Sequence, residues 1–232
     1  MAEAGTIETF SANAAAEPAV GTVQTSPAAE VAMRALDLVG ALALLIVLSP
    51  LLLLVALTVR LDSPGPAIYR QRRVGRNLEP FAVAKFRTMQ EGAGAGAHRA
   101  HVEKMIAAGE RSARPMVKLE RDKRVTRVGS LLRRTSLDEL PQLWNVLRGE
   151  MSLVGPRPPI QYEVDKYPSE AFRRFAVRPG ITGLWQVRGR STLTFQQMIE
   201  FDTEYVEQRS LLLNLKILLL TLPTVLHGKG AA

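Results

Sequence analysis

The stretch "RALDLVGALALLIVLSPLLLLVALTVRLDSPGP", residues 34 to 66, decides how this chain folds. The 22 residues between Asp37 and Arg60 carry no formal charge. A helix rises about 1.5 Å per residue, so a straight helix of this length would cover the roughly 30 Å hydrocarbon core of a bilayer. The stretch is therefore predicted to enter a membrane.

A break lies at the midpoint of this apolar run, at Ser49 and Pro50. Proline lacks a backbone N–H and clashes with the preceding turn, but it is well tolerated in the first turn of a new helix. Neither half of the run is long enough to cross the bilayer alone. The residues themselves leave two alternatives open: a kinked spanning helix, or a re-entrant hairpin that enters and leaves by the same face.

The chain is strongly basic outside its N-terminal part. Its formal net charge is +8, although the first 30 residues contain four glutamates and neither lysine nor arginine. This balance predicts an anionic partner: nucleic acid, anionic lipid headgroups or a phosphorylated substrate. The side of the membrane that carries the arginines after the apolar run is expected to be cytoplasmic. These are Arg60, Arg70, Arg72, Arg73 and Arg76. The absence of cysteine excludes disulfides, cysteine-ligated zinc and thiol catalysis.

Composition divides the chain into three parts. Residues 1 to 30 are rich in Ala, Thr, Ser, Pro and Glu, so they are predicted to form a disordered tail. Residues 31 to 61 form the membrane segment, broken at Ser49 and Pro50. Residues 62 to 232 are predicted to fold as one domain on the cytoplasmic side.

This domain is predicted to be α+β and mainly α. Residues 66 to 75 and 80 to 89 carry β-branched and aromatic residues at short spacing, which predicts a small β-hairpin at the membrane surface. Residues 127 to 148 are predicted to form a helix, a turn and a second helix, and further helices are predicted at 194 to 208 and 211 to 226. The last helix is apolar but short, which suits either the membrane interface or the core.

Two adjacent carboxylates, Asp138 and Glu139, lie in "LLRRTSLDELPQLWNVLRGE", residues 131 to 150. Pro141 predicts a helix that begins near Asp138, and Ser136 with Glu139 matches a capping box. Acids at a helix N-terminus are commonplace, so the pair alone favours a structural role. The alternative is chemical, because a nucleophilic carboxylate beside a Mg²⁺-binding one could transfer a phosphoryl group.

Several basic side chains are candidates for binding phosphate. Two loops punctuated by glycine and proline place Arg157 and Arg190 on stiff turns, which favours bidentate phosphate recognition. Lys85 and Arg87 alternate with apolar residues on a predicted strand and therefore share one face. For these two residues, an edge-strand charge pair or a contact with lipid headgroups is the simpler alternative.

Four motifs in order resemble the bacterial sugar transferase family, the monotopic phosphoglycosyl transferases, over residues 31 to 226. The motifs are "KFRTM", "RVGSLLRRTSLDELPQLWNVLRGEMSLVGPRP", "VRPGITGLWQVRGR" and "FDTEYVEQRSLLLNLKILLLTLPTVL". The resemblance implies an enzyme of the bacterial inner membrane with its catalytic domain on the cytoplasmic face. It would move a sugar 1-phosphate from a nucleotide diphosphate sugar, usually a UDP-sugar, to undecaprenyl phosphate. That reaction initiates exopolysaccharide or glycoconjugate synthesis.

The same resemblance implies roles for particular residues. Asp138 would carry the phosphosugar covalently, and Glu139 would bind Mg²⁺. The break at Ser49 and Pro50 matches the re-entrant membrane helix of the family, as do Arg34 and Asp37 at its start, so the resemblance favours the hairpin. The residues expected to contact phosphate or nucleotide are Lys85, Arg133, Arg157 and Arg190.

Some positions depart from the family pattern. Asn214 stands where the family often has aspartate. The family usually has a tryptophan before this position, and here another residue replaces it near Arg209. The loop at 92 to 97 has no clear counterpart in the family. Two other functions stay open from the sequence: a membrane-tethered basic binding protein without chemistry, and a phosphatase that forms the same aspartyl phosphate. Nucleic acid is not expected as a partner, and the pattern predicts no oligomeric state.

Overall fold

The structure is a computed structural model. It describes residues 20–21, 25–90, 124–189 and 192–226. Most of the predicted tail, the loop at 92 to 97 and Arg190 lie outside the described residues. The first helix, α1 (Pro27–Val47), includes the last four residues of the predicted tail. Ser26 caps this helix by accepting a hydrogen bond from the N–H of Ala29, and proline occupies the first turn.

The apolar run forms two helices joined by a sharp bend. Helix α1 is followed by α2 (Ser49–Asp62), and the two axes differ by 64°. The Ser49 hydroxyl donates a 2.8 Å hydrogen bond to the carbonyl of Ile46, and Pro50 lies in the first turn of α2. Among the described helices, none alone combines the length and apolarity of a membrane span, whereas this bent pair does. The predicted break is therefore confirmed.

One side of this helical pair packs on the domain and the other side is uncovered. Met33, Ala41, Val55 and Val59 are buried. The exposed apolar side chains of the two helices are Val31, Leu38, Val39, Leu42, Leu44, Ile46, Val47, Leu53, Leu54, Leu57 and Leu61. A continuous apolar surface of this size marks a contact with a membrane or a partner.

The predicted β-hairpin is confirmed. Strands β1 (Ile68–Val74) and β2 (Pro80–Phe86) pair antiparallel, with Tyr69 opposite Lys85. Their connection is a short 3₁₀ turn in which Asn77 and Leu78 have positive φ angles of 55° and 64°.

Arg87, just after β2, has a different role from either predicted one. Its buried guanidinium donates hydrogen bonds to the carbonyls of Val59 and Ser63, at 3.2 and 2.6 Å, at the end of α2. Asp62 accepts a 3.2 Å hydrogen bond from the N–H of Val128 at the start of the next helix. Arg87 and Asp62 therefore join the end of α2 to the domain.

The predicted helix, turn and helix at 127 to 148 are confirmed, but the capping box is wrong. The elements are α3 (Arg127–Thr135), a 3₁₀ turn (Leu137–Glu139) and α4 (Gln142–Leu147). Ser136 has a left-handed φ of 57° and terminates α3, and its side chain makes no capping hydrogen bond. Pro141 immediately precedes α4, so the two acids lie on the turn before the helix.

Two segments predicted as loops contain a short parallel pair, β3 (Ser152–Val154) and β4 (Gly180–Thr182). The segments approach so closely at Gly155 and Gly180 that a Cβ on Gly180 would lie 2.0 Å from the Gly155 nitrogen. Only glycine is compatible with that approach. The main core surrounds this pair and includes Val146, Met151, Val154, Tyr205 and Ile217.

The remaining elements complete a mostly helical domain. They are α5 (Gln161–Val164), a 3₁₀ helix (Ser169–Ala176), α6 (Leu184–Arg188), α7 (Phe195–Gln208) and α8 (Leu211–Leu226). The predictions for α7 and α8 are confirmed. One side of α8 belongs to the core, because Asn214 and Ile217 are buried, whereas Leu212, Leu219 and Leu222 are exposed. The α+β, mainly α class is confirmed.

Candidate active site

The two adjacent acids lie between helices that contact both arms of the bent pair. Asp138 and Glu139 are half-buried on the 3₁₀ turn that joins α3 to α4. Helix α3 packs against α2, and α4 packs against α1. The turn also contacts β2, the strand that carries Lys85. The fold therefore places the acids between two helices that contact both arms of the apolar pair.

Glu139 is the centre of a charge cluster. Its Oε1 atom lies 2.9 Å from Lys85 Nζ and 3.6 Å from Arg157 Nη1. Burial lowers the pKa of Lys85 below its usual value, and Arg157 and Arg73 lower it further, whereas Glu139 and Asp138 oppose the shift. The charge of Lys85 is thus stabilised by carboxylates, in a site with an excess of cations.

A cleft opens over this cluster between β2, the acidic turn and the loop around Arg157. Its lining residues are Arg73, Val83, Lys85, Glu139, Gln142, Arg157, Pro158, Gly180 and Ile181. Three of these side chains are cationic and one is anionic, so the lining favours an anionic ligand. Helix α4 has only six residues, so side chains rather than a helix dipole supply the positive charge.

The backbone that carries Arg157 is fixed by buried donors. Three successive carbonyls, at positions 157 to 159, accept hydrogen bonds of 2.9, 3.1 and 2.9 Å. In that order the donors are Arg174 Nη2, Arg73 Nη1 and the N–H of Val74. Because each of these three residues is hydrogen-bonded, the loop backbone is restrained, and it holds the Arg157 side chain beside Glu139.

Arg174 is itself fixed by a buried ion pair. Its Nη2 atom lies 2.6 Å from Asp202 on α7, and the two side chains are 6% and 1% exposed. Its Nη1 atom donates a 3.0 Å hydrogen bond to the Tyr167 hydroxyl. Burial raises the pKa of Asp202 to about 6, although Arg174 opposes the shift. Such a pair is costly to desolvate, so its placement behind the Arg157 loop indicates a positioning role.

Comparison with known proteins identifies the family. A sequence profile described as bacterial sugar transferase matches residues 28–228. The chain belongs to the bacterial sugar transferase family. It is 44% identical over 207 residues to the exopolysaccharide production protein ExoY of Sinorhizobium fredii, covering 88% of this chain and 90% of that protein. The predicted family is therefore confirmed, and the chain is an enzyme of the sugar transferase class.

Other relatives of this sugar transferase differ in length. The UDP-glucose:undecaprenyl-phosphate glucose-1-phosphate transferase of Caulobacter vibrioides is 43% identical over 212 residues, which are 88% of this chain and 73% of that protein. The galactosyl transferase CpsE of Streptococcus agalactiae is 43% identical over 202 residues, or 87% of this chain. The chain spans only 43% of the length of CpsE.

The sugar transferase fold brings together most of the predicted site residues. Lys85, Glu139 and Arg157 are in direct contact, and Asp138 is adjacent to them on the turn. Arg133 stands apart from the residues that line the cleft, and its Nε atom donates a 2.9 Å hydrogen bond to the Thr88 hydroxyl. Arg190 lies outside the described residues.

Sequence reasoning missed Arg73, Gln142, Arg174 and Asp202. Arg73 was noticed only as one of five arginines that follow the membrane segment, and Arg174 lies in "FRRF", which is typical of an exposed basic stretch. A usable signal was the spacing of Phe172 and Phe175 around it, which marks one face of that segment as buried. The pattern does not separate a buried arginine from an exposed one.

The carboxylates suit a metal ion that arrives with a substrate. Within the described part of the chain there is no group of three or more His, Asp and Glu side chains that could hold a metal. Mg²⁺ is commonly bound by one or two carboxylates together with substrate phosphates. Glu139 lines the cleft and Asp138 precedes it on the same turn, so this donor set fits Mg²⁺ bound together with a diphosphate.

Proposed function

We propose that this sugar transferase moves a sugar 1-phosphate from a UDP-sugar to undecaprenyl phosphate and so initiates exopolysaccharide or glycoconjugate synthesis. The names of two relatives, an exopolysaccharide production protein and an undecaprenyl-phosphate glucose-1-phosphate transferase, support this reaction class. The observation that carries the proposal is the position of Asp138 and Glu139. Glu139 contacts Lys85 and Arg157, Asp138 precedes it on the same turn, and the helices on either side of this turn contact the apolar hairpin.

The reaction would proceed in two displacements at one phosphorus atom. In the first, an oxygen of Asp138 bonds to the phosphorus that bears the sugar, the bond between the two phosphates breaks, and UMP leaves. In the second, an oxygen of undecaprenyl phosphate bonds to the same phosphorus and the Asp138 carboxylate leaves. An acyl phosphate conserves the group-transfer potential between the two steps, so ping-pong kinetics are expected.

The surrounding cations would stabilise charge on the transferred group. Lys85 and Arg157 reach the same oxygen of Glu139, so their donors converge where phosphate oxygens would lie. Fixed donors in a partly desolvated cleft stabilise a phosphoryl transition state more than mobile surface charges do. Glu139 would hold Mg²⁺ together with the diphosphate, and the metal would neutralise charge on the departing UMP.

The bent helical pair would act as a re-entrant hairpin on the cytoplasmic face of the bacterial inner membrane. Its outward leucines would lie among lipid chains while the domain stays on one side. The turn that bears Asp138 would then lie at headgroup depth. At that depth an undecaprenyl phosphate presents its phosphate without leaving the bilayer, which removes much of the entropy cost of the encounter.

Separating the two half-reactions tests this function. With a panel of UDP-sugars and no lipid, we expect one donor to release about one UMP per active site and then stop. Added undecaprenyl phosphate should restore turnover. A phosphatase would release sugar phosphate continuously without lipid, and a binding protein would release no UMP.

Two aspartate variants supply the matched control. Asp138→Asn should abolish the UMP burst, because an amide cannot form the acyl phosphate. Asp165→Asn changes an exposed acid just after α5 in the same way and should leave the burst intact. Full activity of Asp138→Asn would contradict the proposed role of Asp138.

A further inference from the structure

The cleft beside the acids is lined by charged and by uncharged residues. Among the described residues that line it, the charged ones are Arg73, Lys85, Glu139 and Arg157. The uncharged ones are Val83, Gln142, Pro158, Gly180 and Ile181. Within this second group, Gln142 has the only polar side chain. The cleft therefore combines a charge cluster with apolar walls that carry a single amide.

The amide of Gln142 is buried but is not used by the fold. Gln142 is 3% exposed, and no described residue forms a hydrogen bond with its side-chain amide. Native proteins retain few buried polar groups without a hydrogen bond, because burying such a group is unfavourable. An amide of this kind in the wall of a cleft indicates a ligand that supplies the missing hydrogen bond.

The position of Gln142 in the cleft is fixed by Asn145, one turn later on α4. Asn145 Oδ1 accepts a 3.0 Å hydrogen bond from the N–H of Ala84, and its Nδ2 donates a 2.8 Å hydrogen bond to the carbonyl of Ala82. These two bonds to β2 lie on either side of Val83, which also lines the cleft. The start of α4 is therefore held against β2, and the amide is preorganised for binding.

The chemistry of the amide matches a hydroxyl group better than a phosphate. Lys85 and Arg157 converge on Glu139 and supply the positive charge that phosphates need. A neutral carboxamide both donates and accepts hydrogen bonds, as a hydroxyl does. A hexose combines apolar C–H faces with hydroxyl edges, so it suits apolar walls that carry one precisely placed polar group.

The position of the amide favours the sugar over the nucleoside. Gln142 lies three residues after Glu139 and four after Asp138. In a UDP-sugar the sugar is bonded to the phosphate that Asp138 would attack, whereas a second phosphate separates the nucleoside from it. The hydroxyl on C2 is the nearest to that phosphate, because C2 adjoins the carbon that bears it.

We propose that Gln142 determines specificity by forming a hydrogen bond with the C2 hydroxyl of the transferred sugar. The substrate class is then UDP-hexoses that carry a hydrogen-bonding group at C2. This assignment rests on the proposed function, which supplies the donor and its orientation.

Removing the hydroxyl from the donor tests the contact without altering the protein. UDP-glucose and UDP-galactose would each be compared with the 2-deoxy form in the UMP burst assay. For the donor that the enzyme uses, loss of the C2 hydroxyl should lower the burst rate at limiting donor about 10- to 100-fold, because the buried amide stays unpaired.

A protein variant completes the comparison. Gln142→Met has a similar volume and no hydrogen-bonding amide, so the fold should survive. With this variant the two forms of the donor should differ by less than about threefold, because no hydrogen bond remains to be lost. Gln208→Met changes an exposed glutamine at the end of α7 and should retain the full difference.

Binding without reaction gives a second readout. Asp138→Asn, alone and combined with Gln142→Met, would be titrated with UDP-glucose, UDP-galactose and UDP by calorimetry. Loss of the amide should weaken the binding of at least one UDP-sugar and leave the binding of UDP unchanged, because UDP has no sugar to contact.

The outcomes separate the contact from the proposed function. The contact is overturned if the 2-deoxy donor loses nothing with the unmodified enzyme, or loses as much with Gln142→Met. Equal weakening of UDP and both UDP-sugars would also overturn it, since Gln142 would then act through the fold or the phosphates. If no donor gives a UMP burst and only binding of a UDP-sugar depends on Gln142, the proposed function fails and the contact stands.

Discussion

Lys85 lies opposite Tyr69 in the β-hairpin, and its ammonium group is 2.9 Å from Glu139. Its side chain is only 17% exposed, so its charge acts through a medium less polar than water. Lys85 therefore aligns Glu139 in the resting enzyme and is placed to bind phosphate when the donor arrives.

Replacing Lys85 with methionine should reduce the UMP burst rate about 100- to 1,000-fold, the usual cost of one lost transition-state donor. Methionine fills a similar volume, so the fold should survive. Lys166→Met removes an exposed lysine of the same domain and should leave the rate unchanged. Burst rates from rapid-quench measurements decide the matter, and a Lys85→Met rate within threefold of the original would contradict this role.

The pH profile gives an independent measure of the same residue. A lysine is charged below its pKa, and burial lowers the pKa of Lys85 below 10.5. Activity that needs the charged form should therefore be lost as pH rises through this lowered pKa, at a lower pH than an exposed lysine would give. An alkaline limb at or above 10.5 would show that the charge of Lys85 is not required.

At the scale of elements, the loop around Arg157 depends on α7 through the Arg174–Asp202 ion pair. Removing Arg174 alone leaves a buried unpaired aspartate, so Arg174→Met should lower the free energy of unfolding by about 3–5 kcal/mol. The double variant Arg174→Met with Asp202→Leu removes both charges of the pair and should recover most of this loss.

Activity should not recover in the double variant, because the Arg157 carbonyl still lacks its donor. We expect its UMP burst rate to stay about 10- to 100-fold below that of the original enzyme, since small misplacements of a binding group are costly. Thermal melts and burst assays on both variants measure the two effects. Recovery of stability and rate together would mean that the ion pair serves the fold alone.

On the proposed function, the bend between α1 and α2 keeps both ends of the apolar run on one side of the membrane. Ser49→Leu with Pro50→Leu removes the helix start and should produce one continuous helix, long enough to span the bilayer. A single cysteine placed by Ala28→Cys, at an exposed position of α1, reports the topology. In intact cells an impermeant maleimide should label this cysteine in the chain that also carries Ser49→Leu and Pro50→Leu. It should not label the chain that carries Ala28→Cys alone. Labelling in the otherwise unmodified chain would contradict the re-entrant hairpin.

The sequence predicted the elements with strong local signals. The apolar run broken by Ser49 and Pro50, the β-hairpin, and α7 with its Thr194 cap are all set by neighbouring residues. The parallel pair of β3 and β4 was missed because it joins segments of three residues each that are distant in sequence. The capping box failed because Ser136 ends one helix rather than starting the next.

The candidate site was predictable in the same uneven way. Lys85, Glu139 and Arg157 were found through motifs, and the structure brings them together. Arg73 and Arg174 donate hydrogen bonds to backbone carbonyls of the Arg157 loop. Every residue has a backbone carbonyl, so the sequence does not show which ones accept such bonds.

For the whole molecule, the bent pair of α1 and α2 is part of the folded domain rather than a tether. Asp37 on α1 is 5% exposed, and its Oδ1 accepts 2.8 Å hydrogen bonds from the Ser152 hydroxyl and the N–H of Leu153. Arg34, one turn before it, donates a 2.9 Å hydrogen bond to the carbonyl of Val146 at the end of α4. The hairpin is therefore bonded to both the central strand pair and the helix that follows the acids.

Asp37→Ala should lower the free energy of unfolding by about 2–4 kcal/mol, because it leaves a buried N–H without an acceptor. Asp37→Asn retains an acceptor oxygen and should cost less. Leu38→Ala alters an exposed neighbour and serves as control. Melting temperatures in the same lipid nanodiscs report these differences. An unchanged melting temperature for Asp37→Ala would show that the hairpin folds independently of the domain.

The central claim is that Asp138 carries the phosphosugar. After exposure to the donor alone, acid quenching and digestion at low pH, mass spectrometry should find one sugar phosphate on the peptide that contains Asp138. Brief addition of undecaprenyl phosphate before quenching should remove it, and Asp138→Asn should never acquire it. A stoichiometric UMP burst with Asp138 unmodified and the sugar phosphate on another residue would contradict the account.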